Sequence, residues 1–129
     1  MKKLESKVMK FLKDRQWHNL RPVDVAKSIM IEGAELLELF QWENLSLDEV
    51  KKDKAKMAEI EKELADVFIY CLDMAVLIGL DSEKIITRKL NKVSKKYPAN
   101  LFKNLRNDPG AADHKAYWKI KKSHRKRGL

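Results

Sequence analysis

Cysteine is nearly absent. Cys71 is the one thiol in 129 residues, so a disulfide framework is excluded and the fold must rest on packing. It lies in an apolar run and reads as a reduced core residue, in keeping with a cytoplasmic protein. Glycine (4) and proline (3) are scarce while Ala, Leu, Lys and Glu are common, which favours helix. The histidines His18, His114 and His124 share no metal-ligand spacing, and surface or loop positions are expected for them. Long hydrophobic runs are also missing. The longest apolar stretch, Val67 to Leu80, is interrupted by Asp73 and is too short to cross a bilayer, so no membrane partner is expected. The segment MKKLESKVMKFLKDRQW is basic but has no unbroken apolar centre, so no secretory leader is expected there either.

What is present suffices for one folded domain, with 44% hydrophobic and 36% charged residues. The formal charge of +9 is unevenly spread. From Lys103 onward nine Lys/Arg face two Asp, a net of +7, whereas the rest of the chain is nearly balanced at +2. Residues 1–102 therefore read as one helical domain and residues 103–129 as a basic C-terminal extension. Such an end is either a solvated tail or an attractor of polyanions such as nucleic acid or nucleotide phosphates.

Two carboxylate pairs interrupt otherwise apolar segments. Glu32 and Glu35 lie in SIMIEGAELLELFQW, and Glu63 and Asp66 in EIEKELADVFIYCLDMAVLIGL. Each pair is spaced i, i+3, so on a helix both acids point to one side. In the first segment apolar residues cover most of the circumference, leaving the acids a stripe too narrow for an ordinary solvated face. Carboxylates converging on a helical interior need a counter-charge, and an oxygen-only donor set favours Mg²⁺, with Mn²⁺ as the other candidate, over Zn²⁺. Asp73 lies seven residues after Asp66, on the same side of the helix; it either extends the acid site or pairs with a cation across an oligomer.

The periodicity predicts an all-α fold, a four-helix bundle with a basic C-terminal tail. Helix 1 is expected from Lys3 to Arg15 with Leu4, Val8, Phe11 and Leu12 buried, and helix 2 from Val23 to Trp42 with Pro22 at its first turn. Ser46 and Glu49 form a capping box. An unbroken helix from there to Gly79 would overshoot helix 2. If helices 2 and 3 form an antiparallel hairpin that brings the acid pairs level, helix 3 starts near Lys54 to Lys56, and Leu47–Lys52 is a separate short turn. Gly79 stops helix 3. Asp81 or Ser82 caps helix 4, which ends at Tyr97-Pro98. NDPG marks a turn, and His114 to Arg127 a short basic helix. The apolar girth of Val67 to Leu80 calls for covering on several sides, which a homodimer or a dimer-of-dimers tetramer supplies.

The acid pattern Glu32-x-x-Glu35, twenty-seven residues, Glu63-x-x-Asp66, together with DRQW, ELFQW and RKLNKVSKKYP in register, resembles the MazG-like nucleotide pyrophosphohydrolases of the all-α NTP pyrophosphatase superfamily. The likeness covers roughly residues 10–98, and ELFQW makes it strongest to the dCTP pyrophosphatase-like branch. The resemblance implies hydrolysis of a nucleoside triphosphate to monophosphate and pyrophosphate, with Glu32, Glu35, Glu63 and Asp66 holding Mg²⁺. Glu38, one turn beyond Glu35, is a further catalytic candidate as ligand, outer partner or water-polarising group; its plain alternative is a rim acid. The resemblance also implies that Trp17, Trp42 and Tyr70 line the nucleoside pocket and that Lys89 and Lys96 meet the phosphates. Three departures bear on substrate choice. Val93 stands where the family commonly has Asn, with Asn91 two residues away as a substitute; the loop after Trp17 is shorter; and Lys96 replaces Arg, removing a bidentate contact. The remaining alternatives are a nucleic-acid-binding module built on the basic end and a sister activity on dUTP or phosphoribosyl-ATP.

Overall fold

A capping box opens the connector between the two acid-bearing helices as its sequence requires. The Glu49 N–H donates to Ser46 Oγ (3.3 Å) and the Ser46 N–H to Glu49 Oε2 (2.7 Å), starting a six-residue helix. The computed structural model describes residues 1–102 and 114–128. Its helices are α1 (Lys2–Asp14), α2 (Pro22–Glu38), α3 (Leu47–Lys52), α4 (Lys54–Leu77), α5 (Ser82–Lys96) and α6 (His114–Lys126), with a 3₁₀ turn at Ala99–Leu101 and no strand among the described residues. Among the described residues the four longer helices α1, α2, α4 and α5 are joined by a short helix in the charged connector and another in the basic end, both of which the sequence pattern predicts. The chain divides into two compact units, Met1–Glu83 and Lys84–Leu129.

The first unit is built around α4. Asp53 separates α3 from α4 and caps the latter, its Oδ1 accepting from the Lys56 N–H at 3.0 Å. α2 runs antiparallel to α4: Lys56, near the start of α4, pairs with Glu43 just beyond α2 at 2.8 Å, while Val25 and Ser28 near the start of α2 share a cavity with Ile69 and Asp73 late in α4. α1 closes the core, where Val8 and Leu12 pack on Leu72 with Val76 and Leu77 around them. Gly79 ends α4 in the left-handed region (φ 75°), and the Leu80 N–H reaches back to the Ala75 carbonyl at 2.8 Å. The Ser82 N–H, at the start of α5, donates to Glu5 Oε1 (2.7 Å).

Three expectations change, and a fourth falls on residues that are not described. α2 ends at Glu38 instead of Trp42, because Phe40 and Gln41 bond three residues back and the Lys56 ammonium donates to the freed Leu39 carbonyl. Leu4 (48% exposed) and Phe11 (43%) are outside the core. Cys71 is exposed rather than buried. The NDPG segment lies outside the described residues. In the second unit Tyr97, after α5, stacks on Tyr117 of α6 with centroids 5.4 Å apart. No helix among the described residues is long and apolar enough to cross a membrane.

Candidate active site

The antiparallel pairing of α2 and α4 brings the acid pairs level. Carboxylate oxygens of Glu32, Glu63 and Asp66 all lie within 4.8 Å of one another. Glu63 is 9% exposed, and Glu32 and Asp66 are half-buried. Lys62, which follows the helix out to solvent, reaches Glu63 Oε1 at 2.7 Å; that bond raises the lysine pKa. Glu63 Oε2 remains buried without a hydrogen-bond partner. A buried anionic oxygen in that condition is expensive, and a cation beside it would relieve the cost. Glu35, exposed on the next part of α2, is not among the three converging acids, yet the charge of Glu32, followed by desolvation and Glu63, raises its pKa. Hard oxygen donors, one of them orphaned, fit a small divalent cation such as Mg²⁺ or Mn²⁺. Glu38 is exposed at the last residue of α2.

A cavity of about 400 Å³ adjoins this cluster, with Asp66 in the walls of both. Phe11, Leu12 and Trp17 from the α1 side, Val25 and Ser28 from α2, and Asp66, Ile69, Tyr70 and Asp73 from α4 line it. The turn after α1 explains how Trp17 gets there. Gln16 takes a left-handed conformation (φ 59°), the Trp17 N–H returns to the Leu12 carbonyl at 2.8 Å, and the indole meets Phe11 edge-on with centroids 6.0 Å apart. Tyr70 stands one turn from Asp66 on the same face of α4, which puts an aromatic ring next to the acids.

Of the expected residues, Glu32, Glu63, Asp66, Trp17 and Tyr70 are therefore brought together, with Glu35 at the edge. Trp42 is 88% exposed in the turn after α2 and does not line the cavity. Lys89 and Lys96 belong to the second unit, where they line a separate cavity with Tyr97, Tyr117 and His124; Asn91 is exposed on α5. Burial, Lys96, Arg127 and Lys92 together lower the His124 pKa, so this basic cavity is unsuited to a protonated imidazole. Sequence reasoning missed Lys62, although it is adjacent to Glu63. It also missed Asp24 and Ser28, whose i, i+4 steps lead to Glu32 along one face of α2. Asp73 was foreseen as metal-binding or cation-paired; it is neither among the converging acids nor hydrogen-bonded at Oδ1.

Comparison with known proteins agrees with this geometry. A family model described as the MazG-like family matches residues 27–110. The dCTP pyrophosphatase 1 of Rattus norvegicus is 28% identical over 93 residues, covering 70% of this chain and 55% of that protein. The Homo sapiens protein of the same name is 27% identical over 96 residues, covering 73% and 56%. The chain thus spans about half the length of the curated relatives it matches. The crystal structure of a pyrophosphatase from Archaeoglobus fulgidus superposes with a TM-score of 0.65 at 37% identity, covering 76% of this chain and 92% of that one. An all-helical fold, the paired acids on α2 and α4 and the match over residues 27–110 lead to one assignment: the chain belongs to the MazG-like family.

Proposed function

We propose that the chain is a Mg²⁺-dependent nucleoside triphosphate pyrophosphohydrolase, converting a (d)NTP and water to the (d)NMP and pyrophosphate and so clearing unwanted nucleotides. The observation that carries this reading is the convergence of Glu32, Glu63 and Asp66 beside an aromatic-walled cavity. Glu32, Glu35, Glu63 and Asp66 would hold the metal, with Glu38 at the rim of α2 as an outer partner. When bound, a divalent ion neutralises phosphate charge and acidifies a coordinated water. Trp17 and Tyr70 would sandwich or flank the nucleoside, excluding water from the reacting end. Trp42, Lys89, Asn91 and Lys96 enter the proposal as substrate contacts on the strength of the family likeness alone. Members named dCTP pyrophosphatase favour a pyrimidine deoxynucleotide as substrate.

The catalytic domain is proposed as residues 1–102, with 103–129 as an accessory basic extension. Exposed apolar side chains on both acid-bearing helices, Met30 (72%) and Phe68 (58%) among them, support a homodimer or a tetramer of dimers. A free, exposed Cys71 suits a reducing cytoplasm. A panel of canonical and modified (d)NTPs with Mg²⁺, read out as pyrophosphate and monophosphate, tests the assignment. Pyrophosphate release is expected for at least one nucleotide; orthophosphate release alone, or no turnover on any, would contradict it.

A further inference from the structure

Asp73 is the most deeply buried polar residue lining the cavity. It is 4% exposed, and its Oδ1 has no hydrogen-bond partner. Three other polar residues lining the same space have partners or a place in the acid cluster. Asp24 is exposed and pairs with Lys27 at 3.6 Å, the Ser28 hydroxyl donates to the Asp24 carbonyl at 3.1 Å, and Asp66 belongs to the acid cluster. Burying a carboxyl without a partner is unfavourable, so the site has something to gain from a ligand that donates a hydrogen bond there.

Its place along α4 says what such a ligand is. Asp66, Tyr70 and Asp73 form one stripe at i, i+4 and i+7, with Asp66 at the metal-binding end. Seven residues of helix span about 10 Å. A nucleoside laid along that stripe keeps its phosphates at Asp66, its ring system near Tyr70 and Trp17, and the hydrogen-bonding edge of its base at Asp73.

We propose that Asp73 reads the base, its carboxyl accepting a hydrogen bond from the exocyclic amino group of a cytosine- or adenine-type base and thereby favouring amino-bearing over oxo-bearing nucleotides. The inference rests on the hydrolase reading for the direction in which the nucleotide lies. Aromatic stacking is indifferent to this edge, whereas a carboxyl oxygen facing the carbonyl of uracil or hypoxanthine meets another acceptor and is left unpaired. A site that loses a hydrogen bond to a buried group in this way discriminates by about tenfold to a hundredfold or more. Asp73 is a specificity residue in this account and plays no part in bond cleavage.

The test uses matched pairs, dCTP against dUTP and dATP against dITP, with the full chain and its Asp73→Asn and Asp73→Ser variants. Wild type is expected to favour the amino member by at least about tenfold in kcat/KM for one pair. Asp73→Asn, whose amide can turn its N–H₂ toward a carbonyl, should reverse or erase that ratio, and Asp73→Ser should erase it. Metal-free calorimetric binding of dCMP and dUMP gives the same ratio without turnover. If no triphosphate is cleaved but dCMP is still preferred and the variants abolish the preference, the hydrolase reading fails and the base-reading role stands. Equal handling of both members by wild type, or variants that depress both members alike, would overturn the role of Asp73.

Discussion

At the scale of single residues, three carboxylates that would repel one another are held together, and a buried oxygen of Glu63 is left without a partner. On the proposed hydrolase reading, the charge of Glu32 and Asp66 serves metal binding and not packing. Glu32→Gln and Asp66→Asn are expected to lower kcat/KM by at least about a hundredfold, the scale at which even outer-shell ligand partners act, with an unchanged circular dichroism spectrum. Full activity in both would remove the metal-site assignment. Asp73 gives a pH-dependent prediction. Burial raises its pKa in the folded protein above the unfolded value of about 3.9. The penalty is absent below the unfolded value and develops as pH rises through the folded one. Asp73→Asn should thus match wild type in urea denaturation near pH 4 and exceed it by roughly 1 kcal/mol at pH 8. A constant difference across that range would show that ionisation is not the cause. The convergence of Glu32, Glu63 and Asp66 was legible because the acids interrupt apolar runs at i, i+3 spacing. The burial of Asp73 without a hydrogen-bond partner at Oδ1 was not, since it depends on how the helices pack around α4.

At the scale of elements, helix ends set the geometry. The break before α4 was legible from a length argument, because Glu35 and Glu63 come level only if α4 starts near Lys54. Ser46-x-x-Glu49 announced α3 in the same way. The end of α2 was not legible, because Lys56, seventeen residues away from Leu39, decides it through the Leu39 carbonyl and Glu43. The turn that delivers Trp17 was hidden too, since Gln16 rather than glycine occupies its left-handed position. Gly79 occupies the equivalent position after α4, and a Cβ added there would meet nothing within 4 Å. Gly79→Ala should therefore cost about 1 kcal/mol for conformational reasons alone, measured as a fall in chemical-denaturation midpoint. Gln16→Gly should raise the midpoint by a similar or smaller amount. A neutral Gly79→Ala would mean that the turn relaxes to negative φ.

At the scale of the whole molecule, exposed apolar side chains outnumber buried ones among the described residues, so the isolated chain has a small core for its length. Met30, Ala34 and Leu37 on α2 and Leu64, Phe68 and Cys71 on α4 recur at i, i+4 and i+7 and form exposed stripes on the acid-bearing helices. A self-associated protein is expected, and Phe68→Lys should shift its mass toward the monomer in light scattering. A monomeric wild type at micromolar concentration would leave those stripes unexplained. The all-α class followed directly from composition and periodicity, because scarce glycine and proline with apolar steps of three and four leave little else. The basic end was legible as charge but not as a partner: α6 carries Trp118 half-exposed among lysines, and Lys121 lies 4.9 Å from its ring centroid. Deleting residues 113–129 is expected to leave hydrolysis of free nucleotides within about twofold, well under the tenfold that one lost hydrogen-bonded contact removes. A collapse of turnover would place that end in the active site.

The most direct test of the account is anomalous scattering from crystals grown with Mn²⁺ and a nucleotide non-hydrolysable between its α and β phosphates. A manganese peak bridging Glu32, Glu63 and Asp66 to the phosphate oxygens is expected, with the base in the cavity between Trp17 and Tyr70. Nucleotide bound elsewhere, or the three carboxylates splayed apart with no peak between them, would contradict it.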